Sequence, residues 1–372
     1  MNVRFIIPGL WHGGGPRNVY TLSAQLAKSG HNASVVAFTD LSRIPRILGG
    51  NKSIPNLSGA EVTFRREPLA FTYQVVSKAS AKNQLLIPIQ LMTGALSTMT
   101  NVELAFYVAT AWQTAFPVLM VSEIQKKPCL YFVQAYETTF RADIIPKYFS
   151  NKTYMYPIIR FTQSAWLKRF LDHNYGGRTY HIGMGIDHNI FRPARVVQHK
   201  HRIVTIARSD PNKGFDIFVE AIRRLYNTRN DFEVVIIGEK YAIESQKIDF
   251  PYKFAGWITK DQELASLYQG SIFVNTGRHE ALPMPPLEAM ACAATVVITD
   301  VEGAEEYTVD NQNCLLTPVG DAKTVANRID EALSNESLRE RLSESAVQTA
   351  SHYRWDLVVR KFEKMTKKEG IQ

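Results

Sequence analysis

The sequence predicts an α/β protein made of two successive series of strand–helix units with parallel sheets. Short apolar runs alternate with stretches of helical periodicity along most of the 372 residues. Polar or glycine-rich clusters follow these runs, as they do at the carboxyl edge of an open parallel sheet. A polar stretch at 192–201 interrupts the alternation, which indicates a linker between two domains.

Composition predicts a globular protein with a large core, reduced cysteines and no membrane span. A chain of this length with 45% hydrophobic residues can bury a large core. Cys129, Cys292 and Cys314 have no paired spacing, which favours buried thiols in a reducing compartment over disulfides or metal ligands. The first apolar run is too short for a signal peptide, and none reaches the roughly 18 residues of a membrane span.

The net charge of +8 indicates attraction to an anionic partner. Nucleic acid, an acidic membrane face and a phosphorylated ligand all qualify. No nucleic-acid-binding motif accompanies the basic residues, which occur as scattered pairs and a C-terminal cluster. The sequence therefore favours a phosphorylated ligand or a membrane, and each basic pair alone is typical of a solvated face.

The first series places candidate binding residues after its strands, which are predicted at 3–7, 34–38, 61–64, 104–109, 129–133 and 158–162. Gly13, Gly14 and Gly15 follow the first strand, where backbone can approach a ligand closely; a plain tight turn is the alternative. The apolar stretch 85–99 is predicted as a buried helix or as an interfacial helix in contact with lipid. The candidates after the fourth and fifth strands are Trp112, Gln113, Gln134, Tyr136 and Glu137.

The second series begins with a strand at 203–207, followed by a turn that Arg208 and Lys213 flank. Both cations can point toward one anion, since arginine offers a fork for phosphate oxygens and lysine a point charge. Two exposed charges near a turn are the alternative. Further strands are predicted at 232–237 and around Phe254, and helices at 261–269, 321–333, 336–351 and 355–368.

The stretch 271–303 reads as strand, loop, helix and strand, and it carries two carboxylates. Glu280 lies in the loop, and Glu288 is expected in the first turn of a helix that Pro285 and Pro286 open. A helix N-terminus suits an anionic ligand group, and a glutamate beside it can accept a hydrogen bond from a ligand hydroxyl such as that of a ribose.

Four motifs in register over 158–318 resemble retaining glycosyltransferases of family 4. The matches are Glu280 and Glu288 in E-x7-E, Arg208, Lys213 and Gly214 in R-x4-K-G, Gly185, Asp187, Phe191 and Pro193 in G-x-D-x3-F-x-P, and Thr162, Ser164 and Trp166 in a T-x-S-x-W strand end. The resemblance implies the GT-B fold: two Rossmann-like domains that face each other across a cleft, and a C-terminal helix that crosses back to the first. The implied parts are an acceptor-side domain at 1–192, a donor domain at 193–350 and that helix at 351–372.

The same resemblance implies roles for individual residues. Arg208 and Lys213 would hold the donor diphosphate and act in catalysis with Glu280, while Glu288 would bind the ribose. The remaining implied donor-binding residues are Gly13, Gly14, Gly15, Ala281, Leu282, Pro283 and Leu287. The residues expected on the acceptor side are Trp112, Gln113, Gln134, Tyr136 and Glu137.

The chain departs from the family pattern in two places. Ala281, Leu282 and Pro283 replace a usual Gly-Phe-Gly, so contacts to the donor sugar are expected to differ. Gln134 to Glu137 replace a segment that carries a histidine in many members, so no catalytic histidine is assigned. The string at 133–137 resembles bacterial rhamnosyltransferases of polysaccharide synthesis, which points to rhamnose as one candidate sugar.

The implied activity is transfer of a hexose or deoxyhexose from a dTDP, UDP or GDP sugar to a glycan or lipid-linked hydroxyl. The nucleotide sugar is a substrate, and we expect no cofactor and no metal. We expect a cytoplasmic protein at the inner face of the plasma membrane, with peripheral contact to anionic lipid and no nucleic-acid partner. A nucleotide-sugar 2-epimerase and a catalytically silent scaffold subunit of the same fold are the alternatives.

Overall fold

The computed structural model describes residues 1–8, 14–37, 61–63, 105–140, 144–194 and 201–371. They form two compact units, the first comprising Met1–Met184 with Trp355–Gln372 and the second Gly185–Arg354. The apolar stretch 85–99 and Gly13 lie outside the described residues.

The first unit contains a seven-stranded parallel sheet in the order β3-β2-β1-β4-β5-β6-β7. Its strands are β1 Asn2–Ile7, β2 Asn32–Ala37, β3 Glu61–Thr63, β4 Phe106–Ala109, β5 Leu130–Val133, β6 Ile159–Thr162 and β7 Thr179–His181. Its helices are α1 Gly14–Lys28, α2 Trp112–Gln125, α3 Ile144–Thr153 and α4 Ala165–Tyr175. Every residue of β4 and β5 is buried, as expected for a parallel sheet that helices cover on both faces.

The second unit contains a six-stranded parallel sheet in the order β10-β9-β8-β11-β12-β13. Its strands are β8 Arg202–Ala207, β9 Glu233–Gly238, β10 Lys253–Gly256, β11 Ile272–Asn275, β12 Thr295–Thr299 and β13 Leu315–Thr317. Its helices are α5 Phe215–Tyr226, α6 Lys240–Ser245, α7 Asp261–Tyr268, α8 Met284–Ala291, α9 Ala322–Ser334 and α10 Glu336–Ser351.

The last helix, α11 Trp355–Lys368, packs on the first unit, so its predicted return is confirmed. The Phe362 ring meets Phe161 of β6 edge-on, with 5.5 Å between the ring centroids. Glu363 lies 2.8 Å from the ring nitrogen Nε2 of His31. Leu357 is 37% exposed, because Val358, Val359 and Phe362 form the buried face of this helix.

The sequence analysis set the domain boundary at 192, and the structure sets the change of unit at Gly185. The backbone N–H of Ile186 donates to the carbonyl oxygen of Tyr353 at 2.9 Å. The Phe191 ring lies 6.5 Å from that of Tyr268 in α7. These contacts hold the G-x-D-x3-F-x-P segment, which leads into the predicted linker at 192–201, within the second unit.

The predicted strands overlap observed ones, including the one at 61–64, but β7 and β13 were missed. The three residues of β7, Thr179–His181, carry no apolar run that would distinguish them from a loop. Backbone pairing with β6 decides their conformation.

Candidate functional site

Both sheets reverse their strand order at one point, between β1 and β4 in the first unit and between β8 and β11 in the second. In open parallel sheets, the crevice outside the carboxyl ends of the strands at such a point is where ligands bind. The candidate residues of the second unit collect there, because Arg208 follows β8 and the loop with Glu280 follows β11.

The turn after β8 is fixed by local capping and by one glycine. Residues Pro211–Lys213 form a 3-10 turn, in which the carboxylate of Asp210 accepts from the backbone N–H of Asn212 at 2.9 Å. Gly214 has φ +63°, and a Cβ atom there would lie 1.8 Å from the carbonyl oxygen of Thr276. Only glycine fits this contact, which docks the R-x4-K-G turn on the loop after β11.

Glu280 joins the turn to that loop. Its carboxylate accepts from Lys213 Nζ at 2.8 Å and from Asn275 Nδ2 at 3.2 Å. The Glu280 side chain is 10% exposed and that of Lys213 is 32% exposed. The ammonium group carries three donors, so the lysine can hold Glu280 and still reach an anion from the open side.

Residues after β12 hold the loop from behind. The backbone N–H of Gly303 donates to the Glu280 carbonyl oxygen at 2.9 Å, and a Cβ atom on Gly303 would lie 2.2 Å from the carbonyl oxygen of Ala281. The Tyr307 hydroxyl donates to the Pro283 carbonyl oxygen at 2.7 Å. Gly303 and Tyr307 therefore support the shape of the loop.

An ion pair that the sequence analysis missed also ties the loop to the turn. Arg278 donates to both carboxylate oxygens of Asp216 at 2.9 and 2.6 Å, and its backbone N–H donates to the Asn212 carbonyl oxygen at 2.7 Å. The hydrogen bonds from Arg278 hold the pKa of the Asp216 carboxyl below its usual value. A loop arginine and an aspartate in the first turn of α5, so far apart in sequence, carry no pattern that could have paired them.

Glu288 is the fifth residue of its helix, just beyond the first turn in which it was predicted. Helix α8 begins at Met284 with Pro283 as its N-cap, and its first turn contains no acidic residue. Glu288 is buried, with 4% exposure. Burial raises the pKa of the neighbouring Cys292 thiol to about 12, and the charge of Glu288 adds to this rise.

The start of α8 offers fewer N–H donors than a typical helix. Pro283, Pro285 and Pro286 have no backbone N–H, and the N–H of Leu287 lies a full turn after the N-cap Pro283, where it bonds within the helix, so within 283–287 the N–H of Met284 is left to donate to a ligand. The side chains of Ala281, Leu282 and Leu287 are buried. Arg208 and Lys213 are therefore the main source of positive charge at this edge of the sheet.

Arg208 is held by two residues that the sequence analysis did not single out. Its Nε lies 3.0 Å from the Glu239 carboxylate, and the centre of its guanidinium lies 4.7 Å from the centroid of the Trp257 ring. Glu239 also accepts from the backbone N–H of Ser209 at 2.8 Å. Burial raises the pKa of Glu239, but the hydrogen bonds from Ser209 and the charge of Arg208 outweigh burial and hold that pKa below its usual value.

The first unit has a cavity of about 180 Å³ at its own strand reversal. Its walls come from the ends of β1, β4 and β5 and the start of α1, and the lining residues are Ile7, Pro8, Gly15, Pro16, Val19, Thr110, Ala111, Gln113, Gln134, Ala135 and Glu137. It thus brings together Gly15, Gln113, Gln134 and Glu137 of the predicted set. Gly14 and Gly15 are the first residues of α1 rather than a separate turn.

Glu137 caps the helix that follows β4. Its two carboxylate oxygens lie 3.1 and 3.2 Å from the backbone nitrogen of Trp112, and the Tyr131 hydroxyl donates to it at 2.8 Å. A carboxylate at a helix N-terminus is favoured by the helix dipole. Glu137 is therefore fixed as it meets the cavity.

Two predicted acceptor-side residues are not brought to this cavity. The side chain of Trp112 is buried, with 3% exposure. The Tyr136 hydroxyl is hydrogen-bonded to that of Tyr175 at 2.8 Å, and its ring packs 4.7 Å from that of Phe170. Both follow strands, but their side chains turn into the packing between helices and sheet.

No group of three or more histidine, cysteine, aspartate or glutamate side chains within the described residues is arranged to hold a metal ion. Among the helices described, none is both long and apolar enough to cross a membrane.

Comparison with known proteins agrees with this architecture. The solved sucrose-phosphate synthase of Thermosynechococcus elongatus superposes with a TM-score of 0.80 at 14% identity, covering 99% of this chain and 98% of that one. Anabaena HepE, solved with UDP and glucose, superposes with a TM-score of 0.72 at 16% identity, covering 99% and 100%. These similarities define the class of fold, which is GT-B.

The second unit is similar in sequence to one protein family. Residues 187–349 match the family model described as glycosyl transferases group 1. The O-antigen biosynthesis protein RfbC of Myxococcus xanthus is 28% identical over 262 residues, which are 68% of this chain. The match covers only 20% of RfbC.

Proposed function

We propose that the protein is a retaining glycosyltransferase that uses a nucleotide diphosphate sugar as donor. The observation that carries the proposal is the convergence of Arg208, Lys213 and Glu280 at the strand reversal of the group 1 domain. Two cations at the carboxyl edge of a parallel sheet suit a diphosphate. Glu288, buried in α8 behind the same edge, supplies a carboxylate for a ribose hydroxyl.

In the proposed transfer, the enzyme must stabilise the leaving diphosphate while the sugar develops oxocarbenium character. Arg208 and Lys213 supply that charge in a fixed geometry, and the N–H group of Met284 adds to it. One such preorganised donor contributes about 3 kcal/mol to a transition state. In this proposal neither a metal nor a cofactor takes part, and the nucleotide sugar is a substrate.

The proposed donor carries a hexose or deoxyhexose, with rhamnose as one candidate, on dTDP, UDP or GDP. HepE was solved with UDP and glucose, and RfbC acts in O-antigen biosynthesis, which supports a nucleotide sugar and a bacterial surface polysaccharide. The proposed acceptor is a hydroxyl of a glycan or lipid-linked glycan. The first-unit cavity with Gln113, Gln134 and Glu137 is the proposed acceptor side.

The proposed location is the cytoplasmic face of the plasma membrane, without nucleic acid as a partner. The net charge of +8 supports peripheral contact with anionic lipid. Exposed lysines on α11, among them Lys364, Lys367 and Lys368, belong to this positive balance.

Transfer assays with purified variants test the proposal. We expect Lys213→Ala and Glu288→Ala each to lower transfer at least about tenfold, the effect of losing one charged hydrogen bond. Lys323→Ala, an exposed lysine on α9, is the matched control and should keep full activity. Unchanged transfer in both variants with every donor tested would remove the assignment. Incubation of donor without acceptor, followed by NMR, separates transfer from epimerisation, since only an epimerase would convert the sugar.

A further inference from the structure

We propose that Trp257 and Glu239 are positioning residues that orient Arg208 for the diphosphate of the donor. The inference rests on the proposed function, because it assigns Arg208 to that group. Neither residue belongs to the motifs that identified the domain: Glu239 follows β9 and Trp257 follows β10. The geometry around Arg208 carries the inference.

The two residues constrain different parts of the guanidinium. Trp257 covers its face, with 4.7 Å from the central carbon to the ring centroid. Glu239 lies beside its Nε, and the 3.0 Å contact is an ion pair without the angle of an aligned hydrogen bond. A face contact fixes the plane of the fork and an edge contact fixes its rotation in that plane, so together they set its direction.

This arrangement leaves the two terminal nitrogens of the Arg208 guanidinium available to a ligand. Within the part of the chain that the structure describes, the Arg208 contacts are those to Glu239 and Trp257, and neither uses the two terminal nitrogens Nη1 and Nη2. The Arg208 side chain is 29% exposed. The terminal nitrogens form the pair of donors that matches two oxygens of a phosphate.

Glu239 is held in place by hydrogen bonds other than its contact with Arg208. It accepts from both the backbone N–H and the hydroxyl of Ser209, at 2.8 and 2.6 Å. Because Ser209 is the next residue in the chain, Glu239 holds the backbone that carries Arg208 as well as its side chain. A carboxylate next to an anion site disfavours the anion by charge alone, so a favourable effect of Glu239 on affinity must come through orientation.

The two possible roles of Glu239, as a nearby charge and as an orienting residue, predict opposite effects of Glu239→Ala on affinity for a nucleoside diphosphate. If Glu239 is only a nearby negative charge, Glu239→Ala tightens binding of a nucleoside diphosphate by removing repulsion. If Glu239 orients Arg208, the same change weakens binding. Trp257 also has an alternative role, because an indole that is 39% exposed can stack on a nucleobase. Base stacking would contribute to binding of the free nucleoside as well as the diphosphate.

Calorimetric titration of the full chain tests both residues. The probes are whichever of UDP, dTDP and GDP the wild type binds and the matching nucleoside, with ligand-observed NMR for the weaker probe. We expect Trp257→Ala and Glu239→Ala each to lower affinity for the diphosphate about fivefold, which is within the range of a cation–π contact. Affinity for the nucleoside should stay unchanged in both variants. Trp257→Phe should restore most of the loss, since it keeps an aromatic face. Tyr241→Ala, a 72% exposed aromatic on α6, is the control and should bind like the wild type.

Several outcomes would overturn the inference. Equal weakening of nucleoside and diphosphate in Trp257→Ala would make Trp257 a base-stacking residue instead. Tighter binding by Glu239→Ala would reduce Glu239 to a nearby charge. Wild-type affinity in both variants would remove the positioning role while leaving the proposed function standing. A wild type that binds none of the three diphosphates would overturn the function and the inference together.

Discussion

Lys213 and Glu280 form an ion pair across two motifs that are separated in sequence, with 2.8 Å between Nζ and Oε2. The contact joins the turn after β8 to the loop after β11, on either side of the strand reversal. Glu280 thereby has a structural partner in addition to any ligand. Its proposed part in catalysis then includes holding Lys213 where a leaving group would develop charge.

Replacing Glu280 should separate catalysis from binding. Glu280→Ala removes the acceptor that fixes Lys213 and also removes negative charge near the diphosphate. We expect turnover to fall about a hundredfold, the scale of one preorganised charge contact, while affinity for the nucleoside diphosphate holds or rises. Steady-state kinetics with calorimetry measures both. Unchanged turnover would show that Lys213 does not depend on this carboxylate.

Gly214 should tolerate alanine far less than Gly320 does. Both have positive φ, +63° and +85°, so alanine is strained at either position by about 1 kcal/mol. Only at Gly214 would the new Cβ atom clash, at 1.8 Å from the Thr276 carbonyl oxygen, whereas open space surrounds Gly320. Gly214→Ala should therefore lose at least about 3 kcal/mol of stability in urea unfolding. Equal losses in the two variants would contradict the close approach of turn and loop.

Asp231 should make stability depend on pH in acid. The hydrogen bonds from Arg229, at 2.7 Å to each carboxylate oxygen, lower the pKa of Asp231 to about 2 from its usual 3.8. Because the folded-state pKa is depressed, this contribution is complete above the unfolded value and is lost as pH falls from 3.8 toward 2. Asp231→Asn should be less stable than the wild type at pH 6, and the difference should shrink toward pH 2. Urea unfolding at several pH values measures it, and a constant difference would contradict the pairing.

Glu288 should be tested against the ribose it is proposed to bind. We expect the wild type to prefer a ribonucleoside diphosphate over its 3′-deoxy analogue about tenfold, as for a hydrogen bond to a charged group. In Glu288→Gln that preference should shrink, because the neutral amide is the weaker acceptor. Competition binding with both ligands measures the preference in each protein. A preference that survives unchanged would place the ribose elsewhere.

Much of the architecture was predictable because it depends on local pattern. Apolar runs such as β5 and β12 are buried on both faces, and burial of that kind requires near-continuous apolar sequence. The same holds for α5, whose periodic apolar residues Phe215, Phe218, Ile222 and Leu225 all face the core. What sequence pattern could not supply was the position of Glu288, since Met284 begins α8 earlier than its prolines suggested.

The contacts that shape the site were less predictable. Arg208, Lys213 and Glu280 follow from spacing and from the ends of strands. Glu239 follows β9 and Trp257 follows β10, which lie on the other side of β8 from β11. Only this strand order brings the two residues beside Arg208. For Tyr136 the strand-end rule gave its place along the chain but not its direction, which the aromatic packing with Tyr175 and Phe170 decides.

The most direct test of the central claim is a thermal-shift titration of the protein with UDP, dTDP and GDP. At about 100 times its dissociation constant, a ligand that binds only the folded state stabilises it by about 2.7 kcal/mol. We predict such a shift for at least one of the three diphosphates, and its loss in the double variant Arg208→Ala, Lys213→Ala. A shift of the same size in that double variant, or no shift in the wild type with any of the three, would contradict the account.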